Sequence, residues 1–535
     1  MASVQINQLE VQGFNSSRGV SKFLGIPFAT IPARFRQAVS VDPRKESGIF
    51  DATSYGPHCP QPVDGGRQLL SHLYAGREDP APTAASEFSC LTLNIYTPLE
   101  VIISSSVKLP VLLWIHGGGW TVGDGNYDHD GTSLVEKSID SGKPFVYVSL
   151  NYRVGYFGFL TSKELRDEAK RLGEAGYANQ GLYDQRLALK WVHSNIGYFG
   201  GDPSRLTLAG QSAGAWSVLA HLKSEESPIF QQALVMSCPS LPLSSLEESQ
   251  DIFDRLVASN GVSASAPATE KLAAIRKYAA DELQALTQCR FGQFAMPILD
   301  PEWFVDTTLP FEQIEHLPPW IKAIVIGSTK QEYALYGIFC ASWTSFQFQK
   351  AVQTVIPDED FAKEVMEVYH ISEDADHATA FNGFLQFGTD SLFSTVPVLI
   401  GDRDSPEVSL YSFDQEDDFD SSLLKGYAYH ALDNAYFCRL TAVAGLEAPS
   451  WRHATANAFS EACFDIIYGK PPWEAYHKTG QVMSFQGKKT GLAKLSGLER
   501  WARFIATKER QRAFREAGER LLIYTLKYIQ DHPPA

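Results

Sequence analysis

Gly210-Gln211-Ser212-Ala213-Gly214 sets a serine between two glycines, two positions from each. The run before it, "SRLTLA", reads as a strand, and the run after it, "AWSVLAHLK", as a helix. A serine at such a strand-to-helix turn is forced into a strained backbone conformation. The flanking glycines lack a Cβ and let neighbouring backbone approach, so the hydroxyl stands clear of the sheet as a nucleophile. The next amide, on Ala213, opens a helix, where free N–H groups and the helix dipole favour negative charge. A second cluster, His116-Gly117-Gly118-Gly119-Trp120, ends another strand. Glycines there expose successive N–H groups without side-chain clash. Gly118, Gly119 and Ala213 are therefore expected to donate three hydrogen bonds to one oxygen. Acyl transfer needs such donors, because its tetrahedral intermediate carries an oxyanion.

A serine hydroxyl needs a base, normally a histidine oriented by a carboxylate. For a nucleophile on this kind of turn, the acid and then the histidine follow in the chain. His370, His377, His430, His453 and His477 all lie late enough, and residue type alone does not choose among them.

These groups must be held by a sheet. "VKLPVLLWIHGGG" (107–119), "PFVYVSLNYRVGYFGFL" (144–160), "SRLTLAGQS" (204–212) and "WIKAIVIGST" (320–329) contain short runs of β-formers, which read as buried parallel strands. Helical patterns such as "GLYDQRLALKWVHSNIG" lie between them, so the fold class is α/β, with a central, mostly parallel sheet flanked by helices. Further on, 245–261 reads as a helix with a Ser245/Glu248 capping box and an Asn260-Gly261 stop. Residues 263–269 read as a loop and 490–530 as helices. No long polar linker divides the chain. Residues 1–535 are expected to form one domain with large helical insertions at roughly 240–300 and 340–400.

Hydrophobic residues make up 44% and charged residues 20% of the 535, enough for a sizeable core. The net charge of −16 argues against a nucleic-acid partner, which needs a basic face. No apolar run reaches the length of a membrane span. The first residues lack the basic and apolar regions of a signal peptide. That keeps the protein in the cytoplasm if the chain starts here and leaves secretion open if a leader precedes it. Seven cysteines with no C-x-x-C pair give no support for a metal site.

Longer stretches carry a resemblance. "FLGIPFATIPARFR" (23–36), "CLTLNIYTP" (90–98), "VLLWIHGGGW" (111–120), "NYRVGYFGFL" (151–160) and "NQGLYDQRLALKWVHSNIGYFGGDPSRLTLAGQSAG" (179–214) resemble the type-B carboxylesterases, the group that includes cholinesterases and fungal lipases. The resemblance implies an α/β-hydrolase fold and a serine carboxylic ester hydrolase of fungal type, with no metal or organic cofactor. It places the acid at Glu332 in "IGSTKQEYALYG", where Tyr333 replaces the usual glycine. It places the base at His430 in "GYAYHALDNAYF", with Asp433 and Tyr436 in register. It also implies a disulfide between Cys59 and Cys90. Two departures separate the chain from cholinesterases: Gln211 stands where they have Glu, and the 59–90 loop holds no Trp for a quaternary ammonium.

Trp120, Tyr336, Leu335 and Phe294 are the pocket candidates, and an apolar pocket suits a small hydrophobic ester. A lactonase, thioesterase or transacylase would use the same triad. A non-catalytic binding protein of the family would usually lack the serine. The oligomeric state is left open.

Overall fold

Among the described residues, thirteen strands form one sheet: β1 (Ala2–Ile6), β2 (Gln8–Asn15), β3 (Val20–Pro27), β4 (Ser47–Asp51), β5 (Thr92–Pro98), β6 (Leu109–Ile115), β7 (Val146–Leu150), β8 (Gly201–Gln211), β9 (Gln232–Met236), β10 (Ala323–Thr329), β11 (Glu407–Phe413), β12 (Gln481–Phe485) and β13 (Gly491–Lys494). The structure is a computed structural model that describes residues 1–63, 65–76, 83–103, 107–223, 229–287, 296–304, 317–403 and 407–532. The strand order is β1-β2-β3-β5-β7-β6-β8-β9-β10-β11-β12-β13, with β4 beside β2. From β7 to β12 every pairing is parallel. The margins β1-β2-β3-β5-β7 and β12-β13 are antiparallel.

The parallel centre follows from composition. Every residue of β6, β7, β9 and β10 is buried, as strands covered by helices on both faces require. The four runs read as strands correspond to β6, β7, β8 and β10. In the second run the strand ends at Leu150, and Gly155–Phe159 forms a helical turn.

Helix Gln180–Asn195 buries Leu189, Trp191 and Val192. It also carries Asp184, whose carboxylate takes two hydrogen bonds from the guanidinium of Arg153, both 2.7 Å, in the loop after β7. Both partners are buried. This pair ties the "NYRVGYFGF" stretch to the helix and explains why both motifs carry a charge.

Helix Leu246–Ser259 has the expected capping box at Ser245 and Glu248, and Gly261 supplies the left-handed stop with φ 73°. Helices Ala268–Arg276 and Ala280–Thr287 follow it. Between β10 and β11 lie helices Ser345–Val355, Glu359–Val368 and His377–Thr389, a π-helical turn Asp390–Ser394 and helix Thr395–Gly401. No helix of the described residues is long and apolar enough to cross a membrane.

Two expectations need correction. Residues 490–530 are not all helical, because Gly491–Lys494 is the edge strand β13, paired antiparallel with β12. Leu, Ala and Lys are good helix formers, but intrinsic preference is a weak prior that pairing with a partner strand overrides. Cys59 and Cys90 are free thiols, not a disulfide. Cys59 Sγ points to Val154 O at 3.9 Å and Cys90 Sγ to Glu87 O at 3.8 Å. The hydrogen bond to Cys59 and burial hold the Cys90 thiol well above its usual titration range. Cys289 lies outside the described residues.

Candidate active site

The residues read as chemical all sit at the carboxyl ends of parallel strands, where open α/β sheets place their ligands. Ser212 follows β8 and helix Ala213–Leu222 begins immediately after it. Its backbone is strained, with φ 57° and ψ −123°. Its N–H donates to Met236 O, the last residue of β9, at 2.9 Å. The turn needs glycine at 214, because a Cβ there would lie 2.1 Å from Ile115 O, at the end of β6.

His430 comes from the loop after β11 and Glu332 from the turn after β10. Glu332 Oε2 lies 2.5 Å from His430 Nδ1, and His430 Nε2 lies 2.8 Å from Ser212 Oγ. A carboxylate only accepts, so Nδ1 carries the ring proton and Nε2 is left to accept the serine O–H. The other Glu332 oxygen accepts the Thr329 N–H at 2.6 Å. Glu332 is fully buried, while Ser212 keeps 8% of its surface exposed, enough to meet a substrate.

The glycine loop after β6 lies beside this chain of bonds: a Cβ on Gly117 would lie 3.1 Å from Ser212 Cβ. Gly118 has φ +100°, and a Cβ there would meet Val122 O at 2.1 Å. Among the described residues, no hydrogen bond takes up the amides of Gly118, Gly119 or Ala213. His116 anchors the loop. Its Nδ1–H donates to Gly117 O at 2.8 Å, its ring stacks on Tyr152 at 4.2 Å, and the Tyr152 O–H donates to His116 O at 3.0 Å. Burial, with a smaller push from His129, lowers the His116 pKa to about 3, so it is neutral at working pH.

The pocket candidates are placed unequally. Tyr336 lies beside the site, its ring centroid 6.0 Å from that of His430, and Leu335 is half-buried next to it. Trp120 is buried, edge-on to Trp216 at 5.3 Å, with its indole N–H 3.5 Å from Ser217 Oγ. Phe294 lies outside the described residues. Of the remaining histidines, His370 and His377 are exposed, while His453 and His477 are half-buried on other helices.

Sequence reasoning missed Phe393, and it named Gln211 and Asp433 without their contacts to the site. Phe393 packs its ring 4.9 Å from His430, and Gln211 Nε2 lies 3.3 Å from His430 Nε2. Asp433 is buried beneath the site and accepts from Tyr411 O–H, Ser237 O–H and Asn434 N–H, each at 2.8 Å. Burial and the neighbouring Glu332 charge raise the Asp433 pKa to about 6. Asp433 had a signal, its register with His430; Phe393 had none. A cavity of about 440 Å³ lined by Lys163, Arg166, Lys170 and Tyr177 shares none of these residues.

Tyr333, in the place of the usual glycine, has φ −70°, so no positive φ demands glycine there. Its O–H donates to Leu521 O at 3.0 Å and lies 2.7 Å from Thr525 Oγ1.

Residues 1–463 match the carboxylesterase family. The chain belongs to that family. Among its carboxylesterase relatives, Lipase 2 of Diutina rugosa is 34% identical over 346 residues, 59% of this chain and 60% of that protein. Secreted lipase 1 of Botryotinia fuckeliana (strain B05.10) is 37% identical over 274 residues, 46% of this chain and 44% of that protein. The chain thus spans about half the length of the curated relatives it matches. A solved PNB esterase superposes with a TM-score of 0.73 at 26% identity, covering 94% of this chain and 99% of that one. The carboxylesterase chain therefore has the α/β-hydrolase fold, and its fungal relatives agree with the fungal-type resemblance.

Proposed function

We propose that this protein is a serine carboxylic ester hydrolase working through an acyl-enzyme, with Ser212, His430 and Glu332 as its triad. The supporting observation is the continuous Glu332–His430–Ser212 hydrogen-bond chain, 2.5 and 2.8 Å, beside three amides that no described residue takes up. His430 Nε2 takes the proton as Ser212 Oγ attacks the ester carbonyl. Glu332 keeps the ring oriented and stabilises the imidazolium. The amides of Gly118, Gly119 and Ala213 receive the oxyanion, and loss of one such donor costs about 100- to 1,000-fold in turnover. The alcohol leaves with the proton from His430. Water, deprotonated by the same nitrogen, then attacks the acyl group and releases the acid.

The rings of Phe393 and Tyr336 flank His430 and give the site an apolar wall, which favours small hydrophobic esters. In this reading the 1–535 chain is one catalytic unit, and the helices between β9 and β10 and between β10 and β11 are insertions that wall the site.

The test combines a fluorophosphonate probe with a panel of p-nitrophenyl esters. The wild type should label at Ser212 and cleave the esters. Ser212→Ala should do neither while melting cooperatively, and a Ser212→Ala protein with near-wild-type turnover would remove the assignment.

A further inference from the structure

Five residues in the middle of the helical run 377–401, Asp390–Ser394, form a π-helical turn. Such turns are rare and less favourable than α-helix, and they concentrate at functional sites. The turn and its entrance contact the segments that supply the acid and the base, and reach the serine turn indirectly, through Ser240 and β9. Thr389 Oγ1, at its entrance, accepts the N–H of Tyr333, the residue after Glu332, at 3.0 Å. Gly388 leaves room for that neighbour, since a Cβ there would lie 2.3 Å from the Tyr333 ring. The carbonyls of Leu392 and Ser391 accept the N–H and O–H of Ser240 at 2.6 and 3.0 Å. Ser240 lies just past β9, whose last carbonyl holds the Ser212 N–H. Phe393 packs 4.9 Å from the His430 ring.

The turn has a built anchor. The Asp390 carboxylate is buried, with 1% exposed. One oxygen takes Arg500 Nη2 at 2.8 Å, Arg500 Nε at 3.0 Å and the Tyr369 O–H at 3.0 Å. The other takes Gln386 Nε2 at 2.9 Å and the Ser394 O–H at 3.2 Å. A buried carboxylate tolerates its site only with such a set of donors. Arg500 comes from helix Leu498–Trp501, beyond the residues that match the family.

We propose that the π-turn is the positioning element that holds serine, acid and base in register, and that the Asp390–Arg500 ion pair sets its geometry. Arg500 touches no reacting atom and acts through the turn. The proposal rests on the triad reading given above.

The test compares wild type with Arg500→Met, Arg500→Lys and Phe393→Leu. The readouts are kcat and KM for p-nitrophenyl butyrate, the rate of fluorophosphonate labelling, and the thermal midpoint. Small misplacements of reacting groups are costly, so Arg500→Met should lower kcat about tenfold or more with KM changed less than about twofold. Labelling should slow in parallel. Arg500→Lys, which keeps the charge, should recover part of the loss. Phe393→Leu should lower kcat about fivefold with KM changed less than about twofold.

A folded Arg500→Met protein with wild-type kcat and labelling rate overturns the proposal, as does a loss confined to KM. If Arg500→Met fails to fold, Phe393→Leu decides by the same two readouts. A wild type that does not label at all overturns the triad reading and this proposal together. A labelled wild type with undisturbed variants overturns this proposal alone.

Discussion

His221 lies on the helix that starts at Ser212, and its replacement tests how burial sets the acid stability of this fold. The ring is 4% exposed, its Nε2 lies 3.0 Å from Gln185 Oε1, and it meets Trp303 edge-on at 5.4 Å. Burial first, and the Arg186 charge second, lower its pKa to about 3. In the unfolded chain the value is near 6.5. Protons therefore bind the unfolded chain first, and the fold loses about 1.4 kcal/mol per pH unit from this residue as pH falls from 6.5 towards 3.

His116 contributes the same slope, with its pKa also lowered to about 3. Asp433 and Asp300 act in the opposite sense, because burial raises both from 3.8 to about 6. Their stabilisation is full below the unfolded value and is lost as pH rises through about 6. Between roughly pH 6 and 3.8 the two pairs offset each other, so the wild-type slope alone reveals neither. The difference between wild type and His221→Gln does, since the amide still reaches Gln185 and carries no titrating proton. Equilibrium urea unfolding at pH 7.5 and 5.0, followed by tryptophan fluorescence, is the assay. Relative to wild type, the variant should gain about 2 kcal/mol between these two values. A difference that stays constant within about 0.5 kcal/mol would show that the folded His221 takes up its proton as readily as the unfolded chain, and would refute the argument.

Gly118→Ala should lower kcat about 100-fold, because its Cβ has no room at Val122 O and its φ is +100°. Gly119→Ala, at φ +60° with open space around the Cβ, should cost less than about tenfold; ester kinetics that reverse this order would contradict the assigned loop geometry. Tyr333→Phe removes the hydroxyl that bonds Leu521 O and Thr525, so the urea midpoint should report a loss of about 1–2 kcal/mol while kcat stays within about twofold. A parallel fall in kcat would mean that Tyr333 steers Glu332. Asp184→Ala leaves the buried Arg153 guanidinium without its carboxylate and should cost about 3–5 kcal/mol in the same unfolding assay.

What the sequence discloses here is local. The Ser212 turn and the glycine loop are readable because each sits between a strand-forming run and a turn within a dozen residues. The base is not local: 218 residues separate His430 from Ser212 and 98 separate it from Glu332. Six histidines follow Glu332 in the chain, and only the resemblance chose among them. The edge strand β13 reads as helix because Leu492, Ala493 and Lys494 are good helix formers, and pairing with β12 decides otherwise. The Cys59–Cys90 spacing says which thiols are neighbours, not whether they are oxidised. Phe393 and Arg500 were invisible for a related reason. The π-turn carries no residue motif of its own, and the ion pair that anchors it spans 110 residues.

Backbone strain marks the same boundary between fold and chemistry. Four non-glycine residues with positive φ adjoin the site: Trp120 at 55°, Ser212 at 57°, Ser237 at 52° and Ala431 at 75°. Each costs on the order of 1–3 kcal/mol and persists only where its surroundings over-determine it. Ser212 is held by Met236 O, Ser237 by Gly327 O at 2.8 Å, and Trp120 by the Gly155 N–H at 2.6 Å. Two of these partners, Met236 and Gly327, belong to parallel strands buried on both faces. The sheet can impose the strain because its register is fixed by burial over its whole length. A loop with freedom to relax would let Ser212 fall back into an ordinary helix start. Its hydroxyl would then turn away from His430, and the Ala213 amide would no longer stand beside those of the glycine loop. The strained conformers are therefore part of the site's preorganisation, and the rigidity of β9 and β10 is what makes them affordable.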